Sequence, residues 1–551
     1  MNMQRTGRLV DLNARRIEPV RLEVSEGRIG SIERLSKADD LEGIESIFFC
    51  PGFVDAHVHI ESSLLTPSRF AAEAVRHGTV ATVSDPHEIA NVCGVEGVDY
   101  MLADAARVPL KVHFGAPSCV PATTFETAGA TLSPDDVASL LARDRIGYLS
   151  EMMNWPGVLN DDPDVTRKIA AARGVGKPVD GHAPGLRGDD ARRYFAAGIT
   201  ADHECFAIEE ALDKLRCDAL IQIREGSAAR NYDALHPLIT SHPGRVCFCS
   251  DDKHADDLME GHIDRLCARA VADGHDVFDV LDAACRVAVD HYDLPVGRLR
   301  VGDPADFVVL RDLTNFDVLE TWIDGRRVDT DAAIAGAAPD PINRFAAEPV
   351  EPAALNVAVP GDARSVRVIV ATDGLITTGS EDVAPVPVDA GRLVTDVDRD
   401  LLKIVVHNRY RPSPPAVAMI RGFGLRRGAI ASSVAHDSHN IVAVGADDDS
   451  IAAAINRVVE HRGGLSCVEA SGDIAPPLPL PIAGLMADRP AAEVGRAYQA
   501  LDAAAKSLGS DLRAPYMTLS FMALLVIPSL KLSDRGLFDG ERFEFVEMFK
   551  T

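Results

Sequence analysis

The sequence predicts an α/β protein: a (β/α)8 TIM-like barrel, a small flanking β domain built from both sides of the barrel, and a C-terminal α/β domain. Between residues 50 and 255, short apolar runs alternate with helix-like segments, as in repeated βα units around a parallel sheet. Eight such runs occur, and seven carry His, Asp or Glu where the run stops. In a (β/α)8 barrel, the active site lies at the face formed by the C-terminal ends of the strands. An open doubly wound sheet is the alternative that this count leaves open.

Each of the eight runs has the length of a strand. The third, "LKVHFGAPS", carries the weakest signal. In chain order the runs are "GFVDAHVHI", "GTVATVSDPHE", "LKVHFGAPS", "IGYLSEMMNW", "KPVDGHAP", "GITADHECF", "ALIQIREGS" and "RVCFCSDDKH".

Strand-like alternation also flanks the barrel, in "GRLVDLNARRIEPVRLEVSEGRIGSIERL" before it and in "GRLRVGDPADFVVLRDLTNFDVLETWIDGRRV" after it. We therefore predict a composite β domain over residues 1–50 plus 295–335 and a barrel over 51–294. A C-terminal α/β domain over 350–551 follows an Ala- and Pro-rich linker near residues 335–355.

Composition narrows the class of ligand. The 551 residues include 83 acidic and 56 basic ones, for a formal charge of -27, which opposes nucleic-acid binding and suits a neutral or cationic small molecule. No apolar run is long enough for a membrane span or a signal core, so we expect a cytoplasmic protein. Ten cysteines without a CxxC pair predict reduced thiols rather than a disulfide framework.

Two histidines, His57 and His59, lie at an i, i+2 spacing in "DAHVHI". Alternate residues of a strand project to one face, so both imidazoles can reach one ion. Alone, this pattern is more often a pair of hydrogen-bonded histidines in a sheet. Other candidate ligands follow later predicted strands, and they are Glu151, His182, His203 and Asp251. Such a mixture of imidazoles and carboxylates suits divalent Zn, Mn or Fe.

Six candidate ligands are enough for two ions that share a carboxylate. We predict that His57, His59 and Asp251 hold one ion, that His182 and His203 hold the other, and that Glu151 bridges them. Two such ions lower the pKa of a bridging water and make hydroxide available near neutral pH. Asp251 can take the proton of that water and pass it to a leaving group.

Because it carries these candidate ligands at the ends of its predicted strands, the chain resembles the amidohydrolase superfamily. More specifically, it resembles the bacterial adenine deaminase family. The resemblance covers nearly the whole chain and rests on these blocks: "DAHVHIESSLLTP", "SDPHEIANVCG", "DGHAPGL", "DHECF", "IREGSAARN", "DDKHADDLMEGHID" and "YMTLSFMALLVIPSLKLSDRGLFD". It implies conversion of adenine to hypoxanthine and ammonia at a binuclear Mn or Fe centre. It also implies a purine-salvage enzyme that forms a homodimer or higher homo-oligomer.

Two positions set this family apart from its relatives. Related hydrolases usually bridge their ions with a carboxylated lysine, whereas "IGYLSEMMNWPGV" contains no lysine and offers Glu151. Other deaminases of the superfamily place a ring-protonating glutamate three residues after the strand-five histidine. That position is Gly185 here, so ring protonation must come from elsewhere.

Glu88 in "SDPHE" and Glu204 in "DHECF" are the candidates for that proton transfer. Alternation along a continuing strand points Glu204 away from the ion, so we favour Glu88. A helix cap by Asp85 or Glu88 after a Pro turn is the structural alternative. A direct part for Asp85 or His87 in metal binding or proton transfer is also open.

Three residues of "IREGSAARN", Arg224, Glu225 and Ser227, are placed to frame a ligand, although a surface loop with salt bridges fits equally well. We expect Asp252 to hold a metal-bound histidine or Lys253 in place.

In the C-terminal domain, "AHDSHN" places His436 and His439 three residues apart with Asp437 between them. The pattern favours a surface loop, because no third or fourth ligand is evident nearby in the sequence. Closure over the active site and binding of an adventitious ion are the alternatives.

The predicted reaction is attack of a metal-bridging hydroxide on C6 of adenine, with proton transfer by Asp251 and Glu88. Another aminated heterocycle or a cyclic amide is the alternative substrate, because pocket contacts decide between them. A binding or regulatory protein that has lost the chemistry is a third interpretation, which the presence of all six ligand candidates disfavours.

Overall fold

The structure is a computed structural model that describes residues 3–36, 45–227, 229–328 and 334–551. The predicted composite β domain includes residues 37–44 and 329–333, which lie outside the described residues. In the described part of the chain, no helix has both the length and the apolarity that a membrane crossing requires.

Four strands precede the barrel: β1 (Met3–Asp11), β2 (Arg16–Ser25), β3 (Arg28–Arg34) and β4 (Phe48–Pro51). β1 forms an antiparallel pair with β2 and a parallel pair with β4. Val20, Leu22 and Val24 of β2 are fully buried and alternate with more exposed residues, as expected for a strand with one solvated face.

Eight parallel strands then form the barrel, with each strand beside its neighbour in the chain. Every residue of β5 and β6 is buried, as expected when both faces of a parallel sheet are covered. The strands are β5 (Phe53–Val58), β6 (Thr79–Ser84), β7 (Lys111–Ala116), β8 (Ile146–Met152), β9 (Val179–Gly181), β10 (Ala201–Asp202), β11 (Leu220–Arg224) and β12 (Val246–Cys249).

The first and last barrel strands meet. The Asp251 backbone N–H donates to the carbonyl of His57 at 2.9 Å, and the His59 N–H donates to the carbonyl of Asp251 at 3.3 Å. The eight strands therefore form a nearly closed barrel. The predicted fold class is confirmed, and the open doubly wound alternative is wrong.

Helices follow most barrel strands and cover the outside of the barrel. The α-helices are Pro67–Ala74, His87–Cys93, Val95–Ala105, Pro134–Leu141, Trp155–Leu159, Pro163–Gly174, Gly188–Ala196, Ile208–Leu215, Tyr232–Leu235, Pro237–Ser241, Ala255–Glu260, Ile263–Ala272, Val277–Leu281, Val287–Tyr292, Asp448–Glu460, Ala491–Ser507 and Pro515–Ser520. A π-helical turn spans Asp282–Arg286, and 3-10 turns span Ile60–Ser63, Val75–His77, Pro352–Leu355, Val397–Arg399 and Phe521–Ala523.

After the barrel, β13 (Phe307–Leu310), β14 (Val318–Ile323) and β15 (Arg326–Arg327) return to the first sheet. β13 pairs with β4, so one seven-stranded sheet draws strands from both sides of the barrel. This is the predicted flanking β domain; its exact residue boundaries stay a prediction.

The C-terminal domain is built on a nine-stranded sheet that also includes the final strand. Its helix Asp448–Glu460 begins at the N-cap Asp447, whose side chain accepts from the Ser450 N–H. The C-terminal strands are β16 (Ser365–Val370), β17 (Gly379–Val383), β18 (Val388–Asp389), β19 (Arg392–Leu393), β20 (Leu402–His407), β21 (Ala416–Arg421), β22 (Ala429–Ser432), β23 (Ile441–Gly445), β24 (Gly464–Glu469), β25 (Gly472–Pro479), β26 (Leu530–Ser533), β27 (Gly536–Asp539), β28 (Glu544–Phe545) and β29 (Phe549–Lys550).

This domain packs on the barrel. A continuous apolar core runs from barrel-side residues such as Ile89 to C-terminal residues such as Val442 and Phe521. The Ala487 N–H also donates to the carbonyl of Leu64 at 2.9 Å. The C-terminal domain is thus docked close to the loops that follow the barrel strands.

Candidate metal centre

The six predicted ligands converge at the carboxyl ends of the barrel strands. His57 lies within β5 and His59 directly after it, while Glu151 lies near the end of β8. The remaining three, His182, His203 and Asp251, directly follow β9 and β10 or lie two residues beyond β12. All six are buried or nearly so.

Glu151 lies between two groups of histidines. Its Oε2 atom is 2.9 Å from Nδ1 of His182 and 3.1 Å from Nε2 of His203. Its Oε1 atom is 3.5 Å from Nε2 of His59 and 3.3 Å from Nδ1 of His87. One carboxylate oxygen thus faces each group, as a bridging carboxylate requires.

The nitrogen geometry fits a cation. His57 Nε2 and His59 Nε2 are 3.2 Å apart, and Asp251 Oδ1 is 3.3 Å from His59 Nε2. Donors held about 2.1 Å from one ion at tetrahedral angles lie roughly 3.4 Å apart. The Nδ1 atom of His59 faces the carbonyl of Asp85 at 3.2 Å, and since a carbonyl only accepts, Nδ1 carries the proton. Nε2 is therefore the nitrogen of His59 that faces the predicted metal position.

The electrostatics of the site also suit cation binding. Burial and the neighbouring imidazoles of His203 and His59 hold the pKa of His57 well below its ordinary value, so the His57 imidazole is neutral. Burial opposes ionisation of Glu151, but the histidines around it, His182 foremost, hold its pKa well below the ordinary value. Neutral imidazole and ionised carboxylate are the forms that coordinate metals.

Asp251 is held by a buried arginine. Arg224 Nη1 donates to Asp251 Oδ2 at 2.5 Å, and Arg224 Nη2 donates to Glu204 Oε2 at 2.9 Å. Asp251 adopts φ of 54°, a left-handed conformation that costs a residue other than glycine on the order of 1–3 kcal/mol. The arginine thus occupies Oδ2, while Oδ1 faces the histidines.

Glu204 lines the same cavity, contrary to the expectation from strand alternation. Strand β10 ends at Asp202, so the alternation does not continue to Glu204. Its carboxylate lies 3.7 Å from Nδ1 of His182. Arg224 is the group that engages it, which makes Arg224 a partner of two carboxylates at the cavity.

Asp85 and His87 also lie at the site. Asp85 Oδ1 accepts from Ser150 Oγ at 2.7 Å and from the His87 N–H at 3.0 Å. His87 lines the cavity, with Nδ1 3.1 Å from Asp85 Oδ2. These positions keep both residues as candidates for metal binding or proton transfer.

Three other predicted residues are held by protein side chains, and for Glu225 this partner matches the alternative of a salt-bridged loop. Asp252 lines the cavity, but its Oδ1 accepts from Ser62 Oγ at 2.5 Å rather than from a histidine or Lys253. Glu225 pairs with Arg269 at 3.2 Å, away from the cavity. Ser227 donates to the carboxylate of Asp257, also away from the cavity. Of the "IREGSAARN" residues singled out above, only Arg224 is in contact with candidate ligands.

Lys214 was not singled out from the sequence, yet it links two loops that carry candidate ligands. Its buried ammonium donates to the Ala183 carbonyl at 2.7 Å, to Glu210 at 2.9 Å and to Asp202 at 3.1 Å. The residues it ties together are adjacent to His182 and His203. This role has no signal in the sequence, because a lysine on an amphipathic helix ordinarily faces solvent.

The interpretation of "AHDSHN" as a surface loop is wrong. His436, Asp437 and His439 are at most 3% exposed. His436 Nδ1 bonds to Glu88 Oε1, and His439 Nε2 is 2.5 Å from Glu88 Oε2. The segment packs over the barrel mouth, and its partner Glu88 lies 348 residues before His436 in the chain. Sequence proximity therefore gave no sign of the contact.

Glu88 and His436 form a charged pair. Burial opposes charge on both groups, yet the pKa of Glu88 lies well below its ordinary value because of His436 and His439. Attraction to Glu88 likewise raises the pKa of His436 to about 9. His436 is therefore the donor and Glu88 the acceptor of the hydrogen bond between them.

The cavity above the candidate ligands has an apolar roof that the sequence did not reveal. Besides Met153 from the barrel, the roof is supplied by the C-terminal residues Ile376, Phe521, Leu524, Val526 and Ile527. Their spacing in the sequence does not indicate a ligand site, because apolar residues of this kind are equally typical of a hydrophobic core.

Comparison with known proteins covers both halves of the chain. A model of the amidohydrolase family matches residues 48–328, and a model of the adenine deaminase C-terminal domain matches residues 376–544. A protein named adenine deaminase from Salinibacter ruber is 57% identical over 98% of this chain and 98% of its own length. Proteins of the same name from Methanosarcina barkeri, 50% identical over 98% of both chains, and from a Sulfurovum species, 51% identical over 99% of both, match as fully.

Proposed function

Because the chain belongs to the adenine deaminase family of the amidohydrolases, we propose that it hydrolyses adenine to hypoxanthine and ammonia. The observation that carries the proposal is one cavity whose floor is the ligand cluster and whose roof comes from the C-terminal domain. Apolar side chains above polar, metal-type ligands suit a flat, neutral aromatic base that must be oriented over a reactive centre.

We propose that two divalent ions occupy the centre, with Mn or Fe favoured and Zn a third candidate. His57, His59 and Asp251 would hold one ion, His182 and His203 the other, and Glu151 would bridge them. Ions bound there would supply hydroxide near neutral pH and polarise the ring. The Irving–Williams order means that affinity alone does not select the metal.

The side chains around the cavity divide the proton transfers between them. Asp251 has Oδ2 engaged by Arg224, so Oδ1 is the atom that would accept the proton released on attack at C6 and deliver it to the departing amine. Glu88 lines the cavity; ionised in the free protein, it would first accept the proton released when the attacking water becomes hydroxide and would then pass that proton to N1 of the ring. Asp251 and Glu88 thus act at different atoms of the base.

Substrate choice is tested by a panel of adenine, other aminopurines and cyclic amides, with ammonia release measured alongside absorbance. We expect adenine to have the highest kcat/KM, because the apolar roof suits a planar base. Preferential turnover of a cyclic amide would favour the alternative substrate class. Binding of adenine without ammonia release, by a fully metallated protein, would instead favour a binding protein that has lost the chemistry.

Glu88→Gln is expected to lower kcat for adenine by roughly 10²- to 10⁴-fold, the usual contribution of one general acid or base. The metal content of the variant should be unchanged, because Glu88 is not among the six ligand candidates. Steady-state kinetics and metal analysis check both expectations. An unchanged kcat would remove Glu88 from the reaction.

We further propose a cytoplasmic purine-salvage role and a homodimeric or larger assembly. Support for the assembly is the family resemblance alone. The formal charge of -27 supports a small-molecule ligand rather than nucleic acid.

A further inference from the structure

Glu88 is hydrogen-bonded to two histidines of the C-terminal domain, and the tautomer of one of them, His439, is defined by its contacts. The Ala435 N–H donates to His439 Nδ1 at 3.1 Å, so Nδ1 accepts and the proton is on Nε2. That Nε2–H donates to Glu88 Oε2 at 2.5 Å. His439 is therefore held as a donor aimed at one oxygen of the carboxylate.

The second histidine, His436, holds the other oxygen. Its Nδ1 bonds to Glu88 Oε1, and its ring stacks on Phe521 with centroids 4.8 Å apart and planes 14° apart. Phe521 and His436 both line the cavity. The stacking fixes the ring plane of His436 and hence the direction of its N–H.

The segment that carries both histidines is itself braced. Asn440 Nδ2 donates to the Thr127 carbonyl of the barrel at 2.9 Å, and Tyr410 Oη donates to the Ser438 carbonyl at 2.5 Å. His439 adopts φ of 53°, a left-handed conformation that persists only where surrounding contacts impose it. This bracing on both domains is more than a surface loop requires.

We propose that His436 and His439 are positioning residues of the active site, which clamp the Glu88 carboxylate so that it faces the ring edge of the bound base. The inference rests on the proposed function. Each carboxylate oxygen has two lone pairs, so two imidazole bonds leave a lone pair that can carry the proton destined for N1. The C-terminal domain is then a part of the reaction centre, because neither histidine belongs to the barrel.

Single substitutions test the clamp. His439→Ala and His436→Ala are each expected to lower kcat for adenine by roughly 10- to 100-fold, the usual effect of removing a partner that orients a functional group. KM and bound metal per chain should change little, since the contact made is to Glu88. His439→Gln and His436→Asn, which keep an N–H near the original Nε2 and Nδ1 positions, should restore most of the loss.

A buried histidine elsewhere in the same domain is the matched control. His407 Nε2 is 3.0 Å from the backbone carbonyl of Glu348, and His407 does not line the cavity. His407→Gln should leave kcat within about threefold of the parent protein. Equal losses of kcat in His407→Gln and His439→Ala would reduce the clamp to a general effect on folding.

A double-mutant cycle gives the decisive result. If His439 acts through Glu88, the double variant Glu88→Gln/His439→Ala should be no slower than Glu88→Gln alone, because the effects of coupled residues are not additive. A double variant slowed by the product of the two single losses would overturn the inference. Absence of adenine turnover by the metallated parent protein would reject the proposed function, and the clamp's role with it. Parent turnover with additive losses would reject the clamp alone.

Discussion

Replacing Glu151 with glutamine is expected to lower kcat/KM for adenine on the order of 10³-fold, about 4 kcal/mol of transition-state stabilisation. Glutamine keeps the size of the side chain but removes its charge and turns an amide towards the histidines on one side. One oxygen of Glu151 faces His182 and His203 and the other faces His59, so the loss affects both halves of the centre. Bound metal should fall below two ions per chain, as measured by elemental analysis.

Glu225→Gln is the matched control for this prediction. Glu225 also lies at the end of a barrel strand, directly after β11, but it pairs with Arg269 away from the cavity. Activity and metal content of Glu225→Gln should stay close to those of the parent protein. Full metal content together with full activity in Glu151→Gln would exclude the bridging role.

Arg224→Met is expected to destabilise the metal-free protein by roughly 3–5 kcal/mol, the cost of breaking a buried ion pair by removing one partner. Arg224 is 1% exposed and bonds to both Glu204 and Asp251, so methionine leaves two carboxylates without their cation. Denaturant unfolding in the presence of a chelator measures the change. Bound metal should recover part of the stability, because a cation would again face Asp251.

Arg167→Met is the control, because it removes an exposed ion pair rather than a buried one. Arg167 bonds to Asp135 at 2.7 Å, but its side chain is 56% exposed. Exposed pairs contribute roughly 0–1 kcal/mol, so this variant should unfold nearly as the parent protein does. Similar small losses for Arg224→Met and Arg167→Met would contradict a tightly coupled buried network.

Local patterns were enough to predict the barrel. Each of the eight apolar runs contains one barrel strand, from Phe53–Val58 to Val246–Cys249. Strand periodicity and the position of polar residues at strand ends are encoded within a few neighbouring residues, and barrel topology brings those ends together. The predicted ligands His57 and His59 therefore could be placed near Asp251 without a structure.

The residues that the C-terminal domain contributes to the site could not be predicted from local patterns. His436 and His439 reach Glu88 only through docking of a second domain, and a pair of histidines in a polar segment is typical of a loop. The expectation for Glu204 assumed a continuing strand, whereas β10 ends after two residues, an end that local alternation does not indicate. Arg224 and Glu225 are consecutive in one motif but face different surroundings, because consecutive side chains of extended backbone point to opposite faces.

The most direct test of the account is titration of the metal-free protein with Mn²⁺ while bound metal and adenine turnover are followed together. We expect turnover, with one ammonia per adenine lost, to rise until two ions are bound per chain and then to stay constant. Full turnover with a single ion bound would contradict the binuclear centre. A chain that binds two ions and leaves adenine unchanged would contradict the proposed reaction.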